Sequence, residues 1–103
     1  MLTKKYFKTK DEVEVTFEFG HIPAEEVTLV CDGADWAPVE MKKSKDGSFK
    51  AKLRLPLDGQ FQFRYLLDGQ RWENDEAADA YVANEYGSDN SVVYTARNGN
   101  GHK

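Results

Sequence analysis

The chain has 103 residues, 40% of them hydrophobic, with 14 basic side chains against 18 acidic ones and a net charge of −4. A chain of this size makes one domain that buries roughly two-thirds of its unfolded surface, which leaves no room for a second subdomain to close a catalytic cleft. No run approaches the roughly 18 apolar residues of a membrane span, the acidic balance opposes nucleic-acid binding, and a single cysteine excludes an intrachain disulfide.

The start of the chain, Met1 to Lys8, is basic but has no apolar stretch behind it, so a cytosolic protein rather than a secreted one is expected. Glu12 to Phe19 alternates strictly, with Val13, Val15, Phe17 and Phe19 on one face and Glu12, Glu14, Thr16 and Glu18 on the other, the pattern of a half-buried strand. Gly20-His21-Ile22-Pro23 breaks it. Val27 to Cys31 is a second, apolar strand that ends at Asp32-Gly33, and Cys31 reads as a small buried hydrophobe with no His or Lys beside it to activate the thiol. A loop carrying Trp36 follows.

Met41–Lys43 and Phe49–Leu55 flank Asp46-Gly47, a strong hairpin signal, and put Phe49, Ala51, Leu53 and Leu55 inside. After Pro56-Leu57-Asp58-Gly59 comes the clearest strand, in which Phe61, Phe63, Tyr65 and Leu67 alternate with Gln62, Arg64 and Leu66 before the turn Asp68-Gly69. Trp72 to Tyr86 has no clean period and reads as a long ordered loop with a short helical turn around Glu76 to Tyr81. Ser91 to Tyr94 is the last strand. Residues 1–96 are therefore expected to form one all-β, immunoglobulin-like sandwich of six or seven strands, with 97–103 a disordered tail.

Much chemistry is missing from this pattern. The histidines, His21 and His102, stand alone, and the acids around Asp75, Glu76 and Asp79 lack calcium-loop spacing, so no metal site and no cofactor are expected. Glu73 and Asp75 lie near Trp72, but 18 acids in 103 residues make such neighbours by chance, and a glycosidase also needs a cleft that raises one pKa. A non-catalytic protein is the expectation. What stands out is Trp36 and Trp72 at loop positions a sandwich core does not require, together with Arg64, which faces away from the core by parity. Indole planes stack on sugar-ring faces and a guanidinium offers a rigid fork of donors to hydroxyls, although the same residues could plug the sandwich or pair with an acid.

The stretch from Val27 to Val93, about two-thirds of the chain, resembles carbohydrate-binding module family 48, the early-set domain of isoamylases, branching enzymes and the β subunit of the AMP-activated protein kinase. The resemblance rests on the order of a strand, a loop closing on Trp36, the Asp46-Gly47 hairpin, Phe61-Gln62-Phe63-Arg64-Tyr65-Leu66-Leu67-Asp68-Gly69, then Trp72-Glu73-Asn74-Asp75, then Tyr86-Gly87-Ser88-Asp89-Asn90-Ser91-Val92-Val93. It implies that Trp36 and Trp72 stack on glucose rings and that Arg64 and Asn90 hydrogen-bond the hydroxyls, with Tyr86 and Ser88 as further contacts. This chain departs from the family in having Gly33-Ala34-Asp35 before Trp36 and Glu76 where many members carry Pro. The second Trp also sits one residue further from the Asp-Gly turn than in the kinase subunit, so Arg71 and Trp72 are alternatives for the second stacking position. The function so implied is binding of an α-1,4-glucan such as glycogen, starch or maltodextrin by a free-standing monomer, with a glycogen-metabolising enzyme as a conceivable partner. The alternative is a protein-interaction or scaffold domain of the same fold.

Overall fold

The alternation along residues 12–19 and 61–67 decides the architecture, because each segment can bury only one of its faces. The computed structural model describes residues 1–7 and 9–96, so the tail expected at 97–103 lies outside the described residues. In chain order the strands are β1 (Leu2–Tyr6), β2 (Glu12–Phe19), β3 (Val27–Cys31), β4 (Val39–Glu40), β5 (Lys42–Lys43), β6 (Phe49–Pro56), β7 (Gln60–Leu67), β8 (Arg71–Glu73), β9 (Ala80–Ala83) and β10 (Asp89–Tyr94). One 3-10 turn, Asp32–Ala34, interrupts them. A four-stranded sheet in the order β1-β2-β6-β5 packs against a six-stranded one in the order β4-β3-β7-β10-β9, with β8 also on β7. Every pairing is antiparallel, and the whole is an immunoglobulin-like β-sandwich.

Parity places the core as expected. Val13, Val15, Phe17 and Phe19 of β2 are buried and meet Phe63, Tyr65 and Leu67 of β7. The Phe17 and Phe63 rings pack edge to face at 4.9 Å between centroids, and Phe19 lies against Tyr65 at the same separation. Such pairs contribute about 0.5–1.5 kcal/mol each beyond the area they bury. On β6 the inward series is less complete: Phe49 and Leu55 are buried, whereas Ala51 and Leu53 are half-buried at the margin of the core.

The described residues form ten strands rather than the six or seven expected, and four of them, β1, β4, β8 and β9, were not expected from the sequence. β1 occupies the basic start and pairs with β2 so that Leu2, Lys4 and Tyr6 share the inward face of Val15, Val13 and Phe17. Lys4 reaches across to Asp79 at 2.6 Å, and the same carboxylate accepts the Tyr94 N–H, which ties the two sheets together at this edge. The segment 72–86 is not one long loop, since it contains part of β8 and all of β9. No helical turn forms near Glu76–Tyr81, because Asp75 organises that stretch instead. Its carboxylate is buried and accepts hydrogen bonds from the Tyr65 hydroxyl at 2.8 Å, the Ala77 N–H at 2.8 Å and the Met1 amino group. Its own N–H donates to Ser91 Oγ and its carbonyl accepts from the Tyr81 hydroxyl.

Two outcomes follow from these environments. Asp75→Ala leaves the buried Tyr65 hydroxyl without its acceptor and should cost about 2–4 kcal/mol in a urea titration. Burial pushes the Cys31 thiol up to about 11, so at about pH 8 a disulfide-exchange reagent should label Cys31 only as fast as the domain unfolds, and at once in denaturant.

Candidate functional site

The outward face of β7 is the start of the site. Gln62, Arg64 and Leu66 point away from the core, and on the neighbouring strands the residues in register with them are Val30 on β3, Val92 on β10 and Trp72 on β8. One edge of β7 is shared: β10 pairs with Gln60–Phe63 and β8 with Tyr65–Leu67. Arg64 falls at the gap between the two. Its guanidinium carbon lies 5.3 Å from the Trp72 ring centroid, a cation–π distance, while its Nε is buried without a hydrogen-bond partner among the described residues. Among the described residues no carboxylate forms an ion pair with it, and Glu73 is engaged by Arg71 at 2.6 Å.

Loops raise the walls. Trp36 follows the 3-10 turn, where Asp35 and Trp36 both have left-handed backbone conformations with φ of 55° and 60°. The Trp36 N–H donates to the Cys31 carbonyl at 2.9 Å, which closes the turn and leaves the indole 44% exposed. Left-handed geometry costs a non-glycine residue about 1–2 kcal/mol, so this presentation of the ring is held against local strain. Trp72 is 46% exposed and Tyr86 is 82% exposed. With the floor residues they enclose an open cleft of about 830 Å³ that also includes Asn84, Ser88 and Asn90.

All six residues singled out in the sequence, Trp36, Arg64, Trp72, Tyr86, Ser88 and Asn90, thus line one cleft. Of the two alternatives beyond the Asp68-Gly69 turn, Trp72 lies on the cleft face of β8, in register with Leu66, and Arg71 pairs with Glu73 instead. Glu73 and Asp75 do not form a carboxylate pair open to the cleft: the first is held by Arg71 and the second is sealed in the network beneath Tyr65. Asp32 stands behind the floor and accepts the Gln62 backbone N–H at 3.0 Å, and burial raises its pKa. Among the described residues no group of His, Cys, Asp and Glu side chains could hold a metal ion, and no helix is long and apolar enough to cross a membrane.

Four cleft residues, Val30, Gln62, Asn84 and Glu85, escaped the sequence reading, and two of them shape the floor. Gln62 was assigned to the outward face but not to the site, although it shares that face with Arg64 two positions on. Asn84 organises the loop between β9 and β10. Its Oδ1 accepts from the N–H groups of Tyr86 at 2.8 Å and Ser88 at 3.2 Å, and its backbone N–H donates to the Ser88 carbonyl. Gly87 takes the left-handed position, φ 82°, that turns the chain back. An asparagine three residues before a glycine is the signal that could have found it.

The strain at Trp36 can be separated from the loss of its ring. Trp36→Ala and Trp36→Gly both delete the indole but only glycine relaxes the left-handed backbone, so the glycine variant should be more stable than the alanine variant by about 1 kcal/mol in denaturant melts. No protein-family model and no curated protein matches this chain.

Proposed function

We propose that the cleft binds an α-1,4-linked glucan without chemical conversion, as a carbohydrate-binding module similar to family 48. The observation that carries this reading is the combination of two half-exposed tryptophans and, in the same cleft, a guanidinium whose buried Nε has no hydrogen-bond partner among the described residues. Exposed aromatic planes separated by a polar floor suit sugar rings, whose CH faces stack while their edges remain hydrated. Trp36 and Trp72 provide the stacking surfaces, Arg64 and Asn90 meet hydroxyl groups, and Tyr86 and Ser88 close over the ligand from the β9–β10 loop. The motif order from Val27 to Val93 supports the same choice of ligand. A cytoplasmic location accords with the lone buried thiol.

An open platform with few polar anchors binds weakly. Affinity should fall between millimolar and tens of micromolar, about −4 to −6 kcal/mol. Titration of tryptophan fluorescence with maltoheptaose and β-cyclodextrin should give a saturable change, and cellohexaose should give none. Trp36→Ala, Trp72→Ala and Arg64→Ala should each weaken binding at least tenfold while the urea midpoint stays within the folded range. No response to any α-glucan at millimolar concentration would overturn the reading and leave the same rings as a surface for a protein partner.

A further inference from the structure

The amide side chains on the cleft floor form a directed chain, and its direction is fixed by backbone groups that can act in only one sense. Asn84 Oδ1 receives two backbone N–H groups, from Tyr86 and Ser88. Backbone N–H groups donate and never accept, so this atom is the oxygen and its partner Nδ2 must donate onward. Nδ2 does so to Ser88 Oγ at 3.0 Å and to Asn90 Oδ1 at 3.1 Å. That contact in turn identifies the oxygen of Asn90, whose Nδ2 donates to Gln62 Oε1 at 2.8 Å. The sequence of donors and acceptors ends there, with the oxygen of Gln62 occupied and its NH2 group without a partner among the described residues.

We infer that Gln62 is a ligand-contacting residue of the cleft, delivered nitrogen-first by Asn84 and Asn90 so that its side-chain N–H groups meet an acceptor oxygen of the bound molecule. Gln62 and Arg64 lie two positions apart on one face of β7 and both line the cleft. Arg64 can only donate, and Ser88 Oγ, having accepted from Asn84, has its own proton to give. The floor is therefore biased toward donors. A hydroxyl approaching it engages through its lone pairs and must send its proton elsewhere, outward to water or to the Glu85 carboxylate at the rim. Asn90 spends one donor and one acceptor inside the protein and contributes a single N–H rather than a whole amide edge. The inference rests on reading the cleft as a glucan site, and it names the residue that selects hydroxyl orientation within it.

The test uses 15N-labelled protein and maltoheptaose. The side-chain NH2 resonances of Gln62, assigned by their loss in Gln62→Met, should shift on titration with the same saturation as the Trp indole signals. Gln62→Met keeps the length of the side chain without its hydrogen-bonding groups and should weaken binding about fivefold. Asn84→Asp retains the acceptor for the Tyr86 and Ser88 N–H groups but cannot donate to Asn90. It should release the orientation of the chain and weaken binding about threefold, with the Gln62 NH2 signals broadened in the free protein. If the wild type binds while the Gln62 NH2 signals stay still and Gln62→Met binds as tightly, the inference is overturned and the glucan reading survives. If wild-type resonances do not move with any α-glucan, both fall together.

Discussion

The period of two along β7 is the constraint from which most of the molecule follows. One set of alternate residues, Phe63, Tyr65 and Leu67, supplies the sandwich core, and the intervening set supplies the floor of the cleft through Gln62 and Arg64. A slip of one residue in register against β3 would exchange the two sets, exposing the rings and burying a guanidinium. Core packing therefore fixes the geometry of the site. The edge-to-face contact of Phe63 with Phe17 holds the strand from below, and the polar side chains above inherit its position while their orientation is set by contacts with Asn90 and Trp72.

Tyr65 carries this coupling further, because its ring belongs to the core and its hydroxyl belongs to the Asp75 network. Burial and the adjacent carboxylate hold that hydroxyl protonated far above its ordinary range. Through Asp75 the network reaches Ser91 and Tyr81, and through Ser91 it reaches Asn74, whose amide donates to the Asp89 carbonyl. The short strands β8 and β9 are thus anchored by side chains rather than by length. They place Trp72 and the Tyr86 loop on either side of Arg64.

The sequence made the long strands legible and the short ones not. β2, β3, β6 and β7 each carry enough alternate or continuous apolar residues for the pattern to appear within the segment itself. β8 has three residues and β9 four, mostly exposed, and their pairing is decided by partners far along the chain. β1 was hidden for a related reason: Lys4 lies on its inward face, and only the Asp79 carboxylate brought up from the other sheet makes that placement tolerable. For the site, residues with a distinctive chemistry, the two tryptophans above all, could be picked out. Gln62 could not, because an amide acquires its role from which neighbours fix its orientation, and those neighbours are brought together only by the β9–β10 turn.

The paired left-handed residues Asp35 and Trp36 bear on how such a chain changes over generations. Mutation tends to drift toward whatever relieves strain, and at Trp36 relief and loss of the ring arrive in the same substitution to glycine. A lineage with no use for an exposed indole gains stability by discarding it. A tryptophan kept at this φ stands uphill of that drift, so its persistence among descendants would measure selection on the cleft rather than on the fold.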